Sequence, residues 1–453
     1  MPTLPGGLPV VRTAPAPASR AGTARSGVAL GWGFGVDEAV RRWPAGLPLL
    51  ALTSGAGRGQ GGGSRSRWSV LTTPGAETRL SAKSADPLAG FPIATLGPGW
   101  VDDAGERLPF GSGWIACLHY ELGGAIEPRA RWRADGEGGE PLGRLWRCEG
   151  ALVHDHATGR WWRVGGVGDL PDLSREAAAP GRWRTGELRS GTGREAYERG
   201  VRRAVELIRA GDIFQANLAH PLRADFEGSA RALGAELVRG AGAWYGAILE
   251  WEGGACLSIS PELFVSADFG TGAVETRPIK GTRPPGCEAE LLASEKDRAE
   301  LVMIVDLMRN DLGRVGRYGS VRVVDARSVE RHAGVCHTVG TVSAAMREGV
   351  TPADLLRATF PPGSVTGAPK VRAMQVIEEL EGFRRGVYCG SIGMLSDCGL
   401  SSWNVAIRTA TVSGGALEYP VGAGIVADSD PAHEWRETLE KSRGFERVLR
   451  GNA

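Results

Sequence analysis

The sequence predicts an α+β fold, a large mixed body of antiparallel sheets with flanking helices. Short apolar runs broken by glycine recur at the spacing of strands joined by turns, at residues 47–52, 68–71, 114–120 and 145–153. Later segments carry apolar residues at helical spacing instead. The chain has 453 residues, of which 42% are hydrophobic, so it is long enough to bury a sizeable core.

Charge and cysteine usage exclude several classes of function. The 53 basic residues are offset by 52 acidic ones, so the balance favours neither nucleic acid nor an anionic membrane as a partner. No apolar run approaches the roughly 20 residues that a membrane helix needs. The seven cysteines are scattered, without a C-x-x-C pair, which argues against a disulfide framework or a zinc site and indicates a reducing cytoplasm.

We divide the chain into three regions. Residues 1–26 are rich in Ala, Pro, Arg and Ser and are expected to form a flexible N-terminus. An N-terminal region covers residues 27–185, and a catalytic region covers residues 186–453. The boundary falls in residues 169–193, where the composition turns to Pro, Gly, Arg and Glu without a period, as in a linker.

Capping and periodicity predict the elements of the catalytic region. A helix is expected after Thr192-Gly-Arg-Glu195, which has capping-box spacing, and it should stop at Gly211. Further helices are predicted at about residues 290–312, after Pro369, and after Asp430-Pro431. Strands are predicted at residues 213–218, 257–265, 387–395 and 403–412, the last with Asn404, Ala406 and Arg408 on one side, and around Gly422 and Gly424.

Two of these helices present acidic residues three positions apart. Asp297 and Glu300 lie on one helix, and Glu434 and Glu437 lie on the other, with Lys441 on the same face. Mg²⁺ that keeps some of its waters binds through such carboxylates together with an anionic substrate. Solvated helix faces with a surface ion pair are the alternative.

Lysine is rare in this chain, which has 48 arginines but lysine at positions 83, 280, 296, 370 and 441 alone. A desolvated lysine can lose its proton and act as a nucleophile, whereas a guanidinium stays protonated. Lys280, in Thr276-Arg-Pro-Ile-Lys-Gly-Thr-Arg283, is therefore a candidate nucleophile, with a solvated loop lysine as the alternative on this stretch alone.

Several segments, in order along residues 190–445, resemble the chorismate-utilising enzymes. They are Gly211-Asp-Ile-Phe-Gln-Ala-Asn217, Ser260-Pro-Glu262, Pro278-Ile-Lys-Gly-Thr282, Glu300-Leu-Val-Met-Ile-Val-Asp-Leu-Met-Arg-Asn-Asp311, Gly363-Ser-Val-Thr-Gly-Ala-Pro-Lys370 and the block at 422–441. The family includes anthranilate synthase component I, isochorismate and salicylate synthases, and aminodeoxychorismate synthase component I. The resemblance implies the large α+β fold of that family, with Mg²⁺ bound between the substrate and glutamates.

Two positions separate the branches of this family. The water-using isochorismate and salicylate enzymes carry a lysine at the position of Gln215, so a glutamine resembles the ammonia-using branch. Anthranilate synthases read Pro-Ile-Ala-Gly-Thr where this chain has Lys280, and the lysine version is similar to the aminodeoxychorismate synthases. The resemblance thus implies conversion of chorismate and ammonia to 4-amino-4-deoxychorismate, the precursor of p-aminobenzoate in folate synthesis.

The resemblance also implies roles for individual residues. The catalytic residues would be Lys280, His337 and Ser364, with His337 placed to move protons at the leaving hydroxyl. Substrate would contact Gln215, Thr282, Tyr388, Arg408, Gly422, Gly424 and Lys441. Glu300 and Glu437 would be the principal Mg²⁺ ligands, supported by Glu434 and Asp297.

Ammonia must come from outside this chain, because the sequence lacks the G-x-C-x-G motif of a glutaminase nucleophile. The resemblance therefore implies a separate glutaminase subunit and a heterodimer. Two alternatives remain open: anthranilate synthase component I, and a non-catalytic chorismate-binding scaffold subunit.

Overall fold

The computed structural model describes residues 24–55, 66–130, 141–166, 170–175, 181–332 and 334–450. Residues 1–23 of the predicted flexible N-terminus lie outside this range. The described residues form nine α-helices: α1 (Val36–Arg42), α2 (Leu122–Ile126), α3 (Arg194–Arg209), α4 (Ala230–Ala241), α5 (Glu288–Ala293), α6 (Glu295–Gly313), α7 (Pro352–Thr359), α8 (Lys370–Leu380) and α9 (Pro431–Arg450). None of these helices is long and apolar enough to cross a membrane.

The described residues also form 25 strands. Those before residue 185 are β1 (Arg25–Ser26), β2 (Val28–Leu30), β3 (Leu50–Thr53), β4 (Trp68–Thr72), β5 (Glu77–Leu80), β6 (Trp100–Val101), β7 (Gly113–Leu118), β8 (Gly143–Cys148), β9 (Gly150–Asp155), β10 (Arg160–Gly165) and β11 (Trp183–Thr185). The others are β12 (Arg189–Ser190), β13 (Gln215–Gly228), β14 (Tyr245–Trp251), β15 (Gly254–Ser260), β16 (Leu263–Asp268), β17 (Ala273–Arg277), β18 (Ile279–Arg283), β19 (Arg322–His332), β20 (Val335–Ala345), β21 (Gly367–Ala368), β22 (Ser391–Ser396), β23 (Leu400–Asn404), β24 (Thr409–Ser413) and β25 (Ala416–Ile425).

Two large antiparallel sheets hold most of these strands. The first runs in the order β11-β13-β25-β24-β15-β14-β3-β4-β9-β10-β2, and β12 and β21 also pair with β13. The second runs in the order β18-β20-β17-β16-β23-β22-β7-β8-β5, and β19 also pairs with β20. Strands β1 and β6 form a small parallel pair. Antiparallel sheets with flanking helices confirm the predicted α+β fold.

Strands from both sides of residue 185 share each large sheet. In the first sheet β14 pairs with β3, and in the second β22 pairs with β7. Part of the predicted linker is itself a strand, since β11 pairs with the end of β13. The division at residue 185 remains a prediction about the sequence.

Three predicted elements differ in the structure. Helix α3 begins after Gly193, whose φ of 81° suits glycine, and Thr192 makes no capping bond. The helix predicted at 290–312 is interrupted at Ser294, whose side chain accepts a hydrogen bond from the backbone N–H of Asp297 and so caps α6. The strand predicted at 387–395 begins at Ser391, since Cys389 has a φ of 62°.

Two predicted strands prove to be pairs of strands in different sheets. The run at 257–265 divides into β15 of the first sheet and β16 of the second, with Pro261 and Glu262 between them. The run at 403–412 divides into β23 and β24 in the same way. The prediction that Arg408 lies on a strand face is therefore wrong, because Arg408 has a φ of 51° and lies in the turn before β24.

The apolar stripe of α6 fixes that helix on the second sheet. Leu301, Val305, Met308 and Leu312 are buried, as their spacing predicts, in a core that includes Val342 of β20. Each such side chain contributes roughly 1.5–3 kcal/mol when buried. The acidic residues of α6 are thereby held at one place beside β18.

Candidate active site

Three residues from the two sheets, two side chains and a glycine, lie close together. Gln215 begins β13, and the neighbouring strand β25 places Gly424 opposite Asn217. A Cβ atom on Gly424 would lie 2.6 Å from Gln215 Nε2 and 3.9 Å from Lys280 Nζ. Glycine is therefore needed here for space, and Lys280 of β18 reaches across from the second sheet to the end of the first.

Gln215 is fully buried, yet neither its Nε2 nor its Oε1 has a hydrogen-bond partner among the described residues. A buried amide without partners is costly, so such a group in a folded protein calls for a ligand or water. Its unpartnered amide close to Gly424 and Lys280 makes Gln215 a candidate binding group.

Lys280 lies half-buried in a polar environment. Its Nζ donates a hydrogen bond of 3.3 Å to the carbonyl oxygen of Ser364. Burial lowers the pKa of Lys280 below its ordinary value and outweighs the carboxylates of Glu300 and Glu262, which raise it. A lysine held in this way loses its proton more easily than a solvated one.

Glu262 is a further site residue that the sequence analysis quoted in a motif but did not assign a role. Glu262 is 3% exposed, and burial raises the pKa of its carboxyl group to about 7. The Ser364 hydroxyl and the Lys280 ammonium act in the opposite direction and lower this pKa. A carboxyl group with this pKa can donate a proton at neutral pH. Pro261, which ends β15, was the local signal that Glu262 leaves the strand.

The predicted metal-binding carboxylates lie on helices α6 and α9, and Glu300 of α6 is near enough to Glu437 of α9 for their charges to interact. Burial raises the pKa of Glu300 and of Glu434. Glu434 accepts a hydrogen bond of 2.8 Å from Ser429, and Glu300 has no hydrogen-bond or ion-pair partner among the described residues. Burial also raises the pKa of Glu437, but Lys441, 2.9 Å away, outweighs it and holds the pKa below the ordinary value.

The chemistry of this donor set fits a divalent cation. Glu300 and Glu434 are part-buried carboxylates without an ion-pair partner among the described residues, which is unfavourable unless a cation neutralises them, and oxygen ligands are those that Mg²⁺ prefers. Possible ligand atoms of His433, Glu434 and Glu437 lie within 4.8 Å of one another, a group that includes neither Glu300 nor Asp297. His433 was not predicted, and it is exposed.

Asp297 is the least suited of the predicted metal ligands. Its carboxylate accepts a hydrogen bond of 3.3 Å from Arg283. An ion pair of this kind already satisfies the charge, so Asp297 is better placed to hold α6 against β18 than to bind a metal directly.

Arg408 is a candidate for binding a substrate carboxylate. Its side chain has no hydrogen-bond or ion-pair partner among the described residues, and burial lowers its pKa from the ordinary value. A guanidinium binds a carboxylate through two parallel hydrogen bonds. A buried guanidinium without a partner among the described residues is compatible with the predicted role of Arg408. The prediction that Arg408 lies in a strand is wrong.

Tyr388 and Lys441 both lie against Gly422. A Cβ on Gly422 would be 2.8 Å from the Tyr388 hydroxyl, and the Gly422 carbonyl accepts a hydrogen bond of 2.9 Å from Lys441 Nζ. Lys441 thus links the glycine strand β25 to Glu437 on α9. The structure brings these predicted residues together at one end of β25.

His337 lies opposite Thr282 where β18 pairs with β20. Its Nδ1 is 3.0 Å from Thr282 Oγ1 and 3.1 Å from the carbonyl oxygen of Gly281, while its Nε2 has no partner among the described residues. Burial, together with Arg408, lowers the pKa of His337 to about 3, so the imidazole is neutral. Thr282 itself is exposed, and its hydroxyl faces His337.

Two buried ion pairs brace the elements that carry the site. Arg385 bonds to Glu381 and donates to the carbonyl oxygens of Val365 at 3.0 Å and Asn217 at 2.6 Å. It therefore ties the loop of Ser364 to the strand of Gln215. Lys370 binds Asp311 at 2.6 Å in the same manner, which joins the start of α8 to α6.

A cavity of about 530 Å³ lies away from these residues, at the turn between β14 and β15 and the turn between β24 and β25. Arg231 on its wall is already bonded to Glu250 and to the carbonyl oxygens of Trp43, Pro44 and Leu47. We assign this cavity no part in the chemistry.

Comparisons with known proteins show the family of this chain. Residues 64–447 match the model of the family described as chorismate binding enzyme. The chain is 39% identical over 385 residues to aminodeoxychorismate synthase component 1 of Klebsiella aerogenes, which covers 82% of this chain and 84% of that protein. It is 36% identical over 426 residues to an anthranilate synthase component 1 of Haloarcula marismortui, with coverage of 84% and 85%.

A solved structure with a similar fold is anthranilate synthase component I from Streptococcus pneumoniae TIGR4. It has a TM-score of 0.71 and 28% sequence identity, and the match covers 83% of this chain and 92% of that chain. With the family model matched over most of its length, this chain belongs to the chorismate binding enzyme family.

Proposed function

We propose that this chain aminates chorismate at C4 to give 4-amino-4-deoxychorismate, with Mg²⁺ as cofactor and ammonia from a glutaminase partner. The observation that carries the proposal is a half-buried lysine, Lys280, beside an acid, Glu262, and an unpartnered amide, Gln215. A glutamine cannot take a proton from water as a lysine can, so Gln215 favours ammonia over water as the nucleophile. The 39% identity to a protein named as an aminodeoxychorismate synthase supports the same reaction.

Mg²⁺ would be held by Glu300, Glu434 and Glu437. When bound, it supplies positive charge that anchors the ring carboxylate of the substrate. Arg408, which has no protein partner for its guanidinium among the described residues, would bind the second carboxylate, with Tyr388 nearby. These contacts would fix the ring over Lys280.

The first step uses Lys280 and Glu262. Neutral Lys280 Nζ forms a bond to C2, the two ring double bonds shift, and the C4–O bond breaks. The Glu262 carboxyl group donates its proton to the leaving hydroxyl, which departs as water. Ser364 keeps both groups in place, since its carbonyl oxygen accepts from Lys280 and its hydroxyl faces Glu262.

The second step restores the lysine. Ammonia forms a bond to C4, the double bonds shift back, and the C2–N bond to Lys280 breaks. One proton of the entering nitrogen returns to Glu262, so the net change is replacement of hydroxyl by amine with loss of water. His337 is neutral and its Nε2 has no partner among the described residues, so it suits accepting a hydrogen bond, whereas its low pKa makes it a poor acceptor of a whole proton.

The glutaminase subunit, the compartment and the pathway belong to the same proposal. Relatives are named as component 1, which supports a second component that supplies ammonia, and we infer a heterodimer. The odd number of scattered cysteines supports the cytoplasm. The product would serve p-aminobenzoate and folate synthesis.

The proposal is tested with the purified chain, chorismate, Mg²⁺ and an ammonium salt, with the product identified by mass and fluorescence. Aminodeoxychorismate is the expected product. Fluorescent anthranilate would instead support the second candidate, anthranilate synthase component I, which the 36% identity to a protein of that name favours. Absence of turnover at every ammonia concentration would support a non-catalytic scaffold subunit.

A further inference from the structure

A second buried imidazole adjoins His337. His332, at the end of β19, is 4% exposed, and its ring centroid lies 5.2 Å from that of His337, edge to face. On its other side it packs against Trp244 with centroids 4.1 Å apart. Neither ring nitrogen of His332 has a hydrogen-bond partner among the described residues.

The tautomer of His337 follows from its neighbours. The carbonyl oxygen of Gly281 can only accept, so the Nδ1 that lies 3.1 Å from it carries the hydrogen. The Nε2 of His337 is therefore a bare acceptor. Glu330 Oε2, 3.9 Å from His332 Nε2, is too far for a hydrogen bond, but its negative charge favours the tautomer with the hydrogen on Nε2, which leaves Nδ1 as a second bare acceptor.

Acceptor nitrogens on two adjoining buried rings call for a ligand or water that donates hydrogen bonds. The charges nearby select its protonation state. Arg408 and Arg277 act electrostatically on His332, and Arg408 also acts on His337. The carboxylate of Glu330 is itself paired with Arg277, so Arg408 leaves the balance of charge here positive, which disfavours a cation such as ammonium and accepts a neutral donor.

We propose that His332 and His337 bind the incoming ammonia in its neutral form, and that His332 is a specificity residue for the nitrogen nucleophile. The position supports this, since His337 is paired with the strand of Lys280, where the second step takes place. A hydroxyl group of the substrate could donate a hydrogen bond to the same nitrogens, and the experiment distinguishes ammonia from that hydroxyl group. This inference rests on the proposed amination of chorismate.

The test compares His332→Phe with the wild type in steady-state kinetics, with ammonium salt and chorismate varied in turn. Phenylalanine keeps the packing against Trp244 and removes both nitrogens. We expect the KM for ammonia to rise roughly five- to tenfold, the loss of one ordinary hydrogen bond, and the KM for chorismate to change less than about twofold. His332→Gln retains an acceptor and should recover part of the loss.

A second measurement isolates the first step. Chorismate and Mg²⁺ without ammonia should leave a substrate-derived mass on the Lys280 peptide at the same rate in His332→Phe and in the wild type. His154→Phe is the matched control, because His154 is also buried, lacks a partner for Nδ1 and packs against a tryptophan, Trp161, away from the site. That control should alter neither KM.

The outcomes are distinguishable. If wild type aminates chorismate but His332→Phe keeps its KM for ammonia, the inference is wrong and the proposed function stands. A rise in the KM for chorismate alone would assign the imidazoles to a substrate hydroxyl and likewise overturn it. If the wild type gives no aminated product, the proposed function fails and the inference fails with it.

Discussion

Replacing Glu262 by glutamine should make the protein more stable above neutral pH while it abolishes most activity. The carboxyl group has an ordinary pKa of 4.5, and burial raises it to about 7 in the folded chain. A pKa raised by folding means that the folded state holds a proton which the unfolded state has lost between these two values. The neutral carboxyl group therefore makes its full contribution to the free energy of unfolding below pH 4.5. This contribution is lost as the pH rises to 7.

The size of the effect follows from the shift of about 2.5 pKa units, at 1.36 kcal/mol each, which gives about 3 kcal/mol. Glutamine has the same shape and does not titrate. With an unfolding entropy of about 2.1 cal/mol/K per residue, this corresponds to a Tm difference of about 3 °C for a chain of 453 residues. The difference should grow between pH 5 and 7 and level off above pH 7.5.

The assay is thermal unfolding of both proteins from pH 4.5 to 8.5. Glu440→Gln on the exposed face of α9 is the matched control and should show no pH-dependent difference from wild type. In parallel, kcat of Glu262→Gln should fall at least about 100-fold, the usual contribution of a general acid. Parallel Tm curves for Glu262→Gln and wild type between pH 5 and 8 would refute the assignment of Glu262 as a buried acid.

Three further predictions concern the nucleophile, the metal and the close approach of β25. Lys280→Arg should be nearly inactive, and the peptide that contains residue 280 should carry no substrate-derived mass, because a guanidinium cannot deprotonate. A fully active variant would exclude covalent catalysis. Glu300→Gln should raise the Mg²⁺ concentration that gives half-maximal activity at least about tenfold, while the free energy of unfolding stays within about 1 kcal/mol of wild type. The control Glu440→Gln should leave that Mg²⁺ concentration unchanged. Gly424→Ala should raise the KM for chorismate, since its methyl group would displace the Gln215 amide; unchanged kinetics would remove Gln215 from the site.

The sequence predicted the parts of the site that lie on regular elements. The buried stripe of α6 placed Glu300 correctly, because helical periodicity fixes which residues share a face. Asp430 caps α9 as expected, accepting a hydrogen bond of 2.8 Å from the N–H of His433, and so Glu434 and Glu437 fall on the predicted face. In each case the local pattern alone carries the information.

The residues that periodicity misplaced lie where the backbone leaves a strand. The apolar run through Glu262 reads as one strand because apolar residues continue on both sides of it, and Pro261 was the local mark of the break. Arg408 has a φ of 51° without a glycine or asparagine to signal it. His332 gave no signal at all, since its importance depends on contacts with Trp244 and His337 from distant parts of the chain.

The two misplaced segments explain why the site forms where it does. After Ser260 the chain leaves the first sheet for the second, and between Asn404 and Thr409 it returns, so Glu262 and Arg408 lie in two crossings between the same sheets. The crossings are hydrogen-bonded to each other, since Val405 N donates to Glu262 O at 3.0 Å and Ser260 Oγ donates to Val405 O at 2.6 Å. Residues in these crossings are free of the strict alternation of a strand, and Glu262 lies close enough to both Lys280 and Arg408 for their charges to lower the pKa of its carboxyl group. The acid and the guanidinium can therefore face the same ligand as Lys280 of β18.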